Sequence, residues 1–174
     1  LTKKLISEDK VDAMIGPSGS PNAMAVLQFA AEAGTPMLAP VGTSAVVLPM
    51  NDNKRWVYKT HPNDDVIADG LVEAMKARGV KTVGFIGYND PYGENWYKVF
   101  APMAEKAGLK VVANERYSRQ DTSVTGQVLK LIAAQPDAVI VAGVAAGAAL
   151  PHVQLGDSGA KGMLFRTHGA AAGA

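Results

Sequence analysis

The 174-residue chain contains no cysteine. Disulfides, thiolate metal sites and a cysteine nucleophile are therefore excluded, while the compartment stays open. Charge is sparse and balanced, with 16 acidic residues against 17 Lys and Arg and a formal net charge of +1. A nucleic-acid surface needs a basic stripe; none is present, so nucleic acid is not an expected partner. Histidine occurs only 3 times. His61, His152 and His168 are scattered and lack the spacing of metal ligands. No metal and no cofactor is expected. Long apolar runs are also missing. The uncharged, mostly apolar run over residues 138–150 is too short to span a bilayer, and Gly143 and Gly147 interrupt it. Direct membrane insertion of this chain is not expected. The sequence opens on Leu1 without Met and closes on HGAAAGA. It reads as an internal piece of a longer protein, expected to aggregate or recruit another chain when isolated, and the lack of a signal peptide carries no information.

Hydrophobic residues make up 48% and charged residues 19%, a globular composition. The length suggests about one domain with a real core. Strands and helices alternate. Residues 2–8 read as a helix end, and 11–15 as a strand. Ser20 suits an N-cap, Pro21 the first helical position and Gly34 the position after the helix. PMLAP (36–40) and RWVYKT (55–60) read as extended. A helix with Asn63 as its cap carries the stripe Ile67, Leu71, Ala74 and Met75, and Gly79 ends it. The spacing then predicts a strand over 80–87, a helix over 91–107 kinked at Pro102, a strand over 109–118 and a helix over 124–134. The nearly continuous apolar run DAVIVAG (137–143) suits a parallel sheet covered on both faces. A helix over 145–155, weakened by Pro151, and a strand over 162–166 complete the pattern. This is the pattern of an α/β fold with parallel sheets. In such folds ligands sit beyond the carboxyl ends of the strands, which nominates loops 16–20, 39–43, 87–92, 143–146 and 167–169.

The first loop, GPSGS, admits three chemistries. A nucleotide fingerprint needs G-x-G-x-x-G, and Gly16 and Gly19 have the wrong spacing; no G-x-x-x-x-G-K-[ST] occurs either. A hydrolase elbow needs G-x-S-x-G. Ser18 stands at the centre, but Ser20 replaces the final glycine, and no histidine is placed as its base. A carboxylate is the third option: the Ser20 hydroxyl and the first amides of a helix favour an anion. Ser20 equally serves as the cap of its own helix, and both roles stay open on the motif alone.

Read together, the loops carry a resemblance. EDKVDAMIGPSGSPNAMAVLQFAAEAGTPMLAPVGTS is similar to the V-D-x-I-I-G-P strand, small-residue loop, helix and G-x-P-x-[ILV]-x-P-x-A-T of the periplasmic ligand-binding proteins of branched-chain amino acid (Leu/Ile/Val) ABC transporters. YNDPYGENW and QPDAVIVAG resemble two further segments of that family. The resemblance implies a type 1 periplasmic binding fold: two α/β lobes with doubly wound parallel sheets, closing like a clamshell. Residues 1–61 would be part of an incomplete first lobe and 62–174 most of the second, with a crossing and hinge near 60–63. It implies no catalysis. Instead it implies an extracytoplasmic or lipid-anchored solute-binding protein that delivers a small carboxylate to a membrane ABC transporter permease. The ligand would be an amino acid or an aromatic or keto acid. A ligand-sensing domain of a receptor or regulator is the alternative on the same fold, and an α/β hydrolase a further one. By position, the resemblance assigns the ligand carboxylate to Ser20, with Ser18 in the same loop. Val41 gives a carbonyl, Thr43 a hydroxyl and N–H, and Tyr92 a second-lobe contact. A further contact falls at Val144 or Ala145. His168 stands where the family often has an acid for the ligand ammonium.

Overall fold

The structure, a computed structural model, describes residues 1–171. Residues 172–174, the end of the segment assigned to a second lobe, lie outside the described residues. The chain divides into two compact units, Leu1–Asn63 and Asp64–Ala174.

In the first unit, helix α1 (Thr2–Ser7) precedes β1 (Met14–Ile15), α2 (Ser20–Ala33), β2 (Met37–Ala39) and β3 (Val57–Lys59). The strands form a parallel sheet in the order β1-β2-β3. The pleat sends alternate side chains to opposite faces. Met14, Met37 and Val57 share one register row and are buried with Ala23, Leu27 and Ala30 of α2. Gly34 ends α2 at φ +64°, and the next amide, of Thr35, returns to the Ala30 carbonyl at 2.9 Å. That left-handed turn is the reason the position is glycine. The strand expected over 11–15 shortens to two residues, because the Val11 amide turns back to the Leu5 carbonyl at 3.2 Å.

The second unit contains α3 (Asp64–Ala77), β4 (Thr82–Tyr88), α4 (Pro91–Lys106), β5 (Lys110–Tyr117), α5 (Thr125–Ala133), β6 (Ala138–Ala142), α6 (Ala146–Asp157) and β7 (Met163–Arg166). A 3-10 turn, His168–Ala171, follows. Its sheet is parallel throughout, in the order β5-β4-β6-β7. Helices α3 and α4 pack together, as do α5 and α6. Right-handed crossovers place α4 on one face and α5 and α6 on the other. The central strands β4 and β6 are accordingly almost wholly buried, against Trp96, Phe100, Val128, Leu131 and Leu155. The inward stripe of α3 centres on Ala68, Val72 and Met75, with Ile67 and Leu71 flanking it. The expected stripe is rotated by about one residue, within the width of a helical face. Helix α4 runs through Pro102, which lies on its exposed side, where water can satisfy the carbonyl left unbonded. At the amino end of the sheet, the Asp137 carboxylate accepts the Lys81 and Thr82 amides at 2.8 Å each and the Thr82 hydroxyl at 3.0 Å. These bonds hold its pKa below the usual carboxylate range and fasten the start of β4 to the start of β6.

The other register row of the first sheet, Ile15, Leu38 and Tyr58, is 85%, 36% and 56% exposed. A contiguous apolar row on an open sheet drives association. The 174-residue polypeptide is expected to self-associate, and a Leu38→Lys, Tyr58→Lys double variant to associate less. Light scattering over a concentration series checks this; equal scattering from both proteins contradicts it.

Candidate functional site

In the first unit, β1 and β2 are neighbours and run the same way, so the loops leaving Ile15 and Ala39 emerge side by side. Helix α2 begins at Ser20 itself, and Gly19, in extended conformation, is the N-cap. This corrects the expectation that Ser20 caps the helix and that Pro21 occupies its first position. The Ala23 amide already reaches the Gly19 carbonyl at 2.8 Å, which draws Ser20 into the first turn. Its hydroxyl makes no hydrogen bond among the described residues; Ser20 as a whole is 3% exposed, but its hydroxyl is not one of the fully buried atoms left without a partner. The amides of this first turn have no carbonyl one turn back to bond. Ser18 is exposed and bonded to no histidine among the described residues.

The loop after β2 turns at once, with the Val41 amide on the Ala39 carbonyl at 2.9 Å. Thr43 is fully buried and caps the 3-10 turn Ser44–Val46 by accepting the Ala45 amide at 3.2 Å. Its own proton stays available for donation. That turn packs against α2, the helix that carries Ser20. Ser20, Val41 and Thr43 therefore gather at the carboxyl end of the first sheet.

In the second unit, the switch in strand order falls between β4 and β6, where ligands of such sheets bind. The Asp90 carboxylate caps α4, accepting the Tyr92 and Gly93 amides at 2.8 and 3.2 Å. Tyr92 is 3% exposed. Its ring lies among Tyr88, Trp96 and His168, with centroids 6.4, 6.5 and 6.4 Å away. Its hydroxyl is 2.8 Å from Thr167 Oγ1. A Cβ on residue 169 would collide with that hydroxyl, so only glycine fits. His168 is half-buried, its ring 5.7 Å from that of Trp96. The Ala145 amide bonds the Gly169 carbonyl at 3.0 Å. Tyr92, Ala145 and His168 therefore converge at one end of this unit, and the Tyr92 hydroxyl is committed within it.

Sequence reasoning missed Asp64, Thr167, Tyr88 and Tyr117. Asp64 is fully buried and accepts from Asn95 Nδ2 at 2.6 Å. An acid in the first turn of a helix is an ordinary sequence feature, and only its burial marks it out. Thr167 shows itself only through the Tyr92 hydroxyl. Among the described residues, no group of three His, Asp or Glu could hold a metal ion, and no helix is long and apolar enough to cross a membrane.

Burial pushes the Tyr92 phenol up from 10.0 to about 12, although the Thr167 bond opposes the shift. An unfolded tyrosine ionises near pH 10, so the folded state is penalised only where the unfolded chain ionises first. The Tyr92 contribution to stability is full below about pH 10 and is lost as pH rises toward about 12. In Tyr92→Phe this part of the alkaline decline is expected to vanish. Denaturant titrations between pH 9 and 12 check it; parallel curves for the two proteins contradict it.

With this geometry in hand, the likenesses are specific. The periplasmic binding protein family profile matches residues 1–173. No curated protein matches the sequence. An extracellular ligand-binding receptor from Rhodopseudomonas palustris HaA2 is 45% identical with a TM-score of 0.93, over 97% of this chain and 46% of that one. An ABC transporter solute-binding protein from R. palustris, in complex with 4-hydroxybenzoate, is 21% identical with a TM-score of 0.84, over 97% of this chain and 46% of that one. Another from the same organism, in complex with benzoate, is 22% identical with a TM-score of 0.85, over 97% and 47%. The chain spans a little under half the length of these relatives. Its parallel α/β fold is that of the type 1 periplasmic binding proteins, and the chain belongs to the periplasmic binding protein family.

Proposed function

We propose that this chain is part of an extracytoplasmic solute-binding protein that captures a small carboxylate, an amino acid or an aromatic or keto acid, for a membrane ABC transporter. The observation that carries the reading lies in the first unit. Ser20 and Thr43 lie in the loops that follow two paired parallel strands, both residues are little exposed, and each hydroxyl has a proton left to donate. A carboxylate accepts from both. The free amides of the first turn of α2 add donors and a favourable dipole. Val41 contributes its carbonyl, and Ser18 closes the same loop.

In the second unit, Tyr92, Ala145 and His168, gathered at one end of its sheet, are proposed as further ligand contacts. Small side chains at 144 and 145 leave room for a ring or a branched chain. None of the three carries a negative charge to receive an ammonium, so a carboxylate without an amine is expected to bind at least as well as an amino acid. The benzoate and 4-hydroxybenzoate held by the two more distant relatives suggest the probes.

Calorimetric titration of the full-length protein with benzoate and with L-leucine tests the proposal. A hydrogen bond to a charged group is worth about 1.5–3 kcal/mol, so Ser20→Ala and Thr43→Val are each expected to weaken binding about tenfold to a hundredfold. Because the Ser20 hydroxyl bonds none of the described residues, Ser20→Ala is expected to leave the melting temperature nearly unchanged. Unaltered affinity in both variants contradicts the assignment.

A further inference from the structure

Ala145 has φ +47° and ψ −134°, close to the first corner of a type II′ turn, a position dominated by glycine. Lys10 and Gln135 are the other non-glycine residues of positive φ among those described, and neither follows the carboxyl end of a strand. A backbone held in such a region needs surroundings that over-determine it. Here they are visible. The Val144 amide donates to Tyr88 Oη at 3.4 Å, and Tyr88 Oη donates to the Val144 carbonyl at 3.3 Å. Tyr117 Oη donates to the Gly147 carbonyl at 2.9 Å.

Both tyrosines end their strands. They face each other in register across β4 and β5, with ring centroids 4.8 Å apart, and their hydroxyls reach the loop after β6. Gly143 and Gly147 make this possible: a Cβ at either would overlap the hydroxyl of Tyr117 or Tyr88. The Arg119 guanidinium lies 4.2 Å from the Tyr88 ring centre, and its Nε bonds Asp90 Oδ2 at 2.5 Å. Asp90 also caps α4, so Tyr88 is tied to the helix that presents Tyr92.

We infer that Tyr88 and Tyr117 are positioning residues whose hydroxyls hold residues 144–147 in a strained turn, and that this turn sets the surface that Ala145 offers to the ligand. The inference rests on the reading that the 143–146 loop faces the ligand. Neither tyrosine needs to touch the ligand to act in this way.

The test combines amide hydrogen exchange at residues 143–147 with titration of benzoate and L-leucine, on full-length wild type, Tyr88→Phe, Tyr117→Phe and Ala145→Gly. Each phenylalanine variant loses one neutral hydroxyl contact. Exchange in the loop is expected to rise about tenfold, and affinity to fall about threefold to tenfold. Ala145→Gly relieves the strain, so its melting temperature is expected to rise by about 2–4 °C. Its affinity is nevertheless expected to fall, because the loop is no longer pre-organised. A purely structural role would move stability and affinity together. Wild-type exchange and wild-type affinity in both phenylalanine variants overturn the inference, as does an Ala145→Gly protein that binds as tightly as wild type. Wild type that takes up neither probe overturns the carboxylate reading instead; unchanged loop exchange in the phenylalanine variants would then overturn the role of the tyrosines as well.

Discussion

Polar groups buried at the carboxyl ends of parallel strands must find partners. In the second unit three tyrosine hydroxyls find theirs in neighbouring loops. The hydroxyls of Tyr88, Tyr92 and Tyr117 bond Val144, Thr167 and Gly147, and glycines at 143, 147 and 169 clear the space they occupy. Each such bond adds only about 1 kcal/mol net, but leaving the group unmet in the same place costs more. The cluster therefore fixes the shape of the loops after β4, β6 and β7.

In the first unit the corresponding loops carry Ser20 and Thr43. Ser20 begins α2 without capping it, and Thr43 accepts one bond while keeping its proton to donate. Hydroxyls with a proton left to donate, in loops beside the amides of a helix start, suit an anion.

Much of this was legible in the residues. The continuous apolar run at 138–142 and the short strand at 37–39 announced parallel strands, and the glycine and proline punctuation around α2 and α4 located their ends to within a residue or two. The loops at strand ends, and the family, followed from order and motif. What stayed hidden depends on contacts distant in sequence. Nothing near Tyr88 or Tyr117 announces that their hydroxyls reach across to residues 144–147. The one-residue shift that makes Gly19 the cap changes the role of Ser20, and propensity does not resolve helix ends that finely. The burial of Asp64 and the packing of His168 against Trp96 arise only once α3, α4 and the last turn come together.

The central claim is that a ligand carboxylate completes the bonding of Ser20 and Thr43. The most direct measurement is a crystal structure of the full-length protein with benzoate or L-leucine, whichever binds more tightly in titration. The account predicts carboxylate oxygens about 2.5–3.2 Å from Ser20 Oγ and Thr43 Oγ1, an ordinary hydrogen-bond distance. A bound ligand whose carboxylate bonds elsewhere and contacts neither hydroxyl would contradict it.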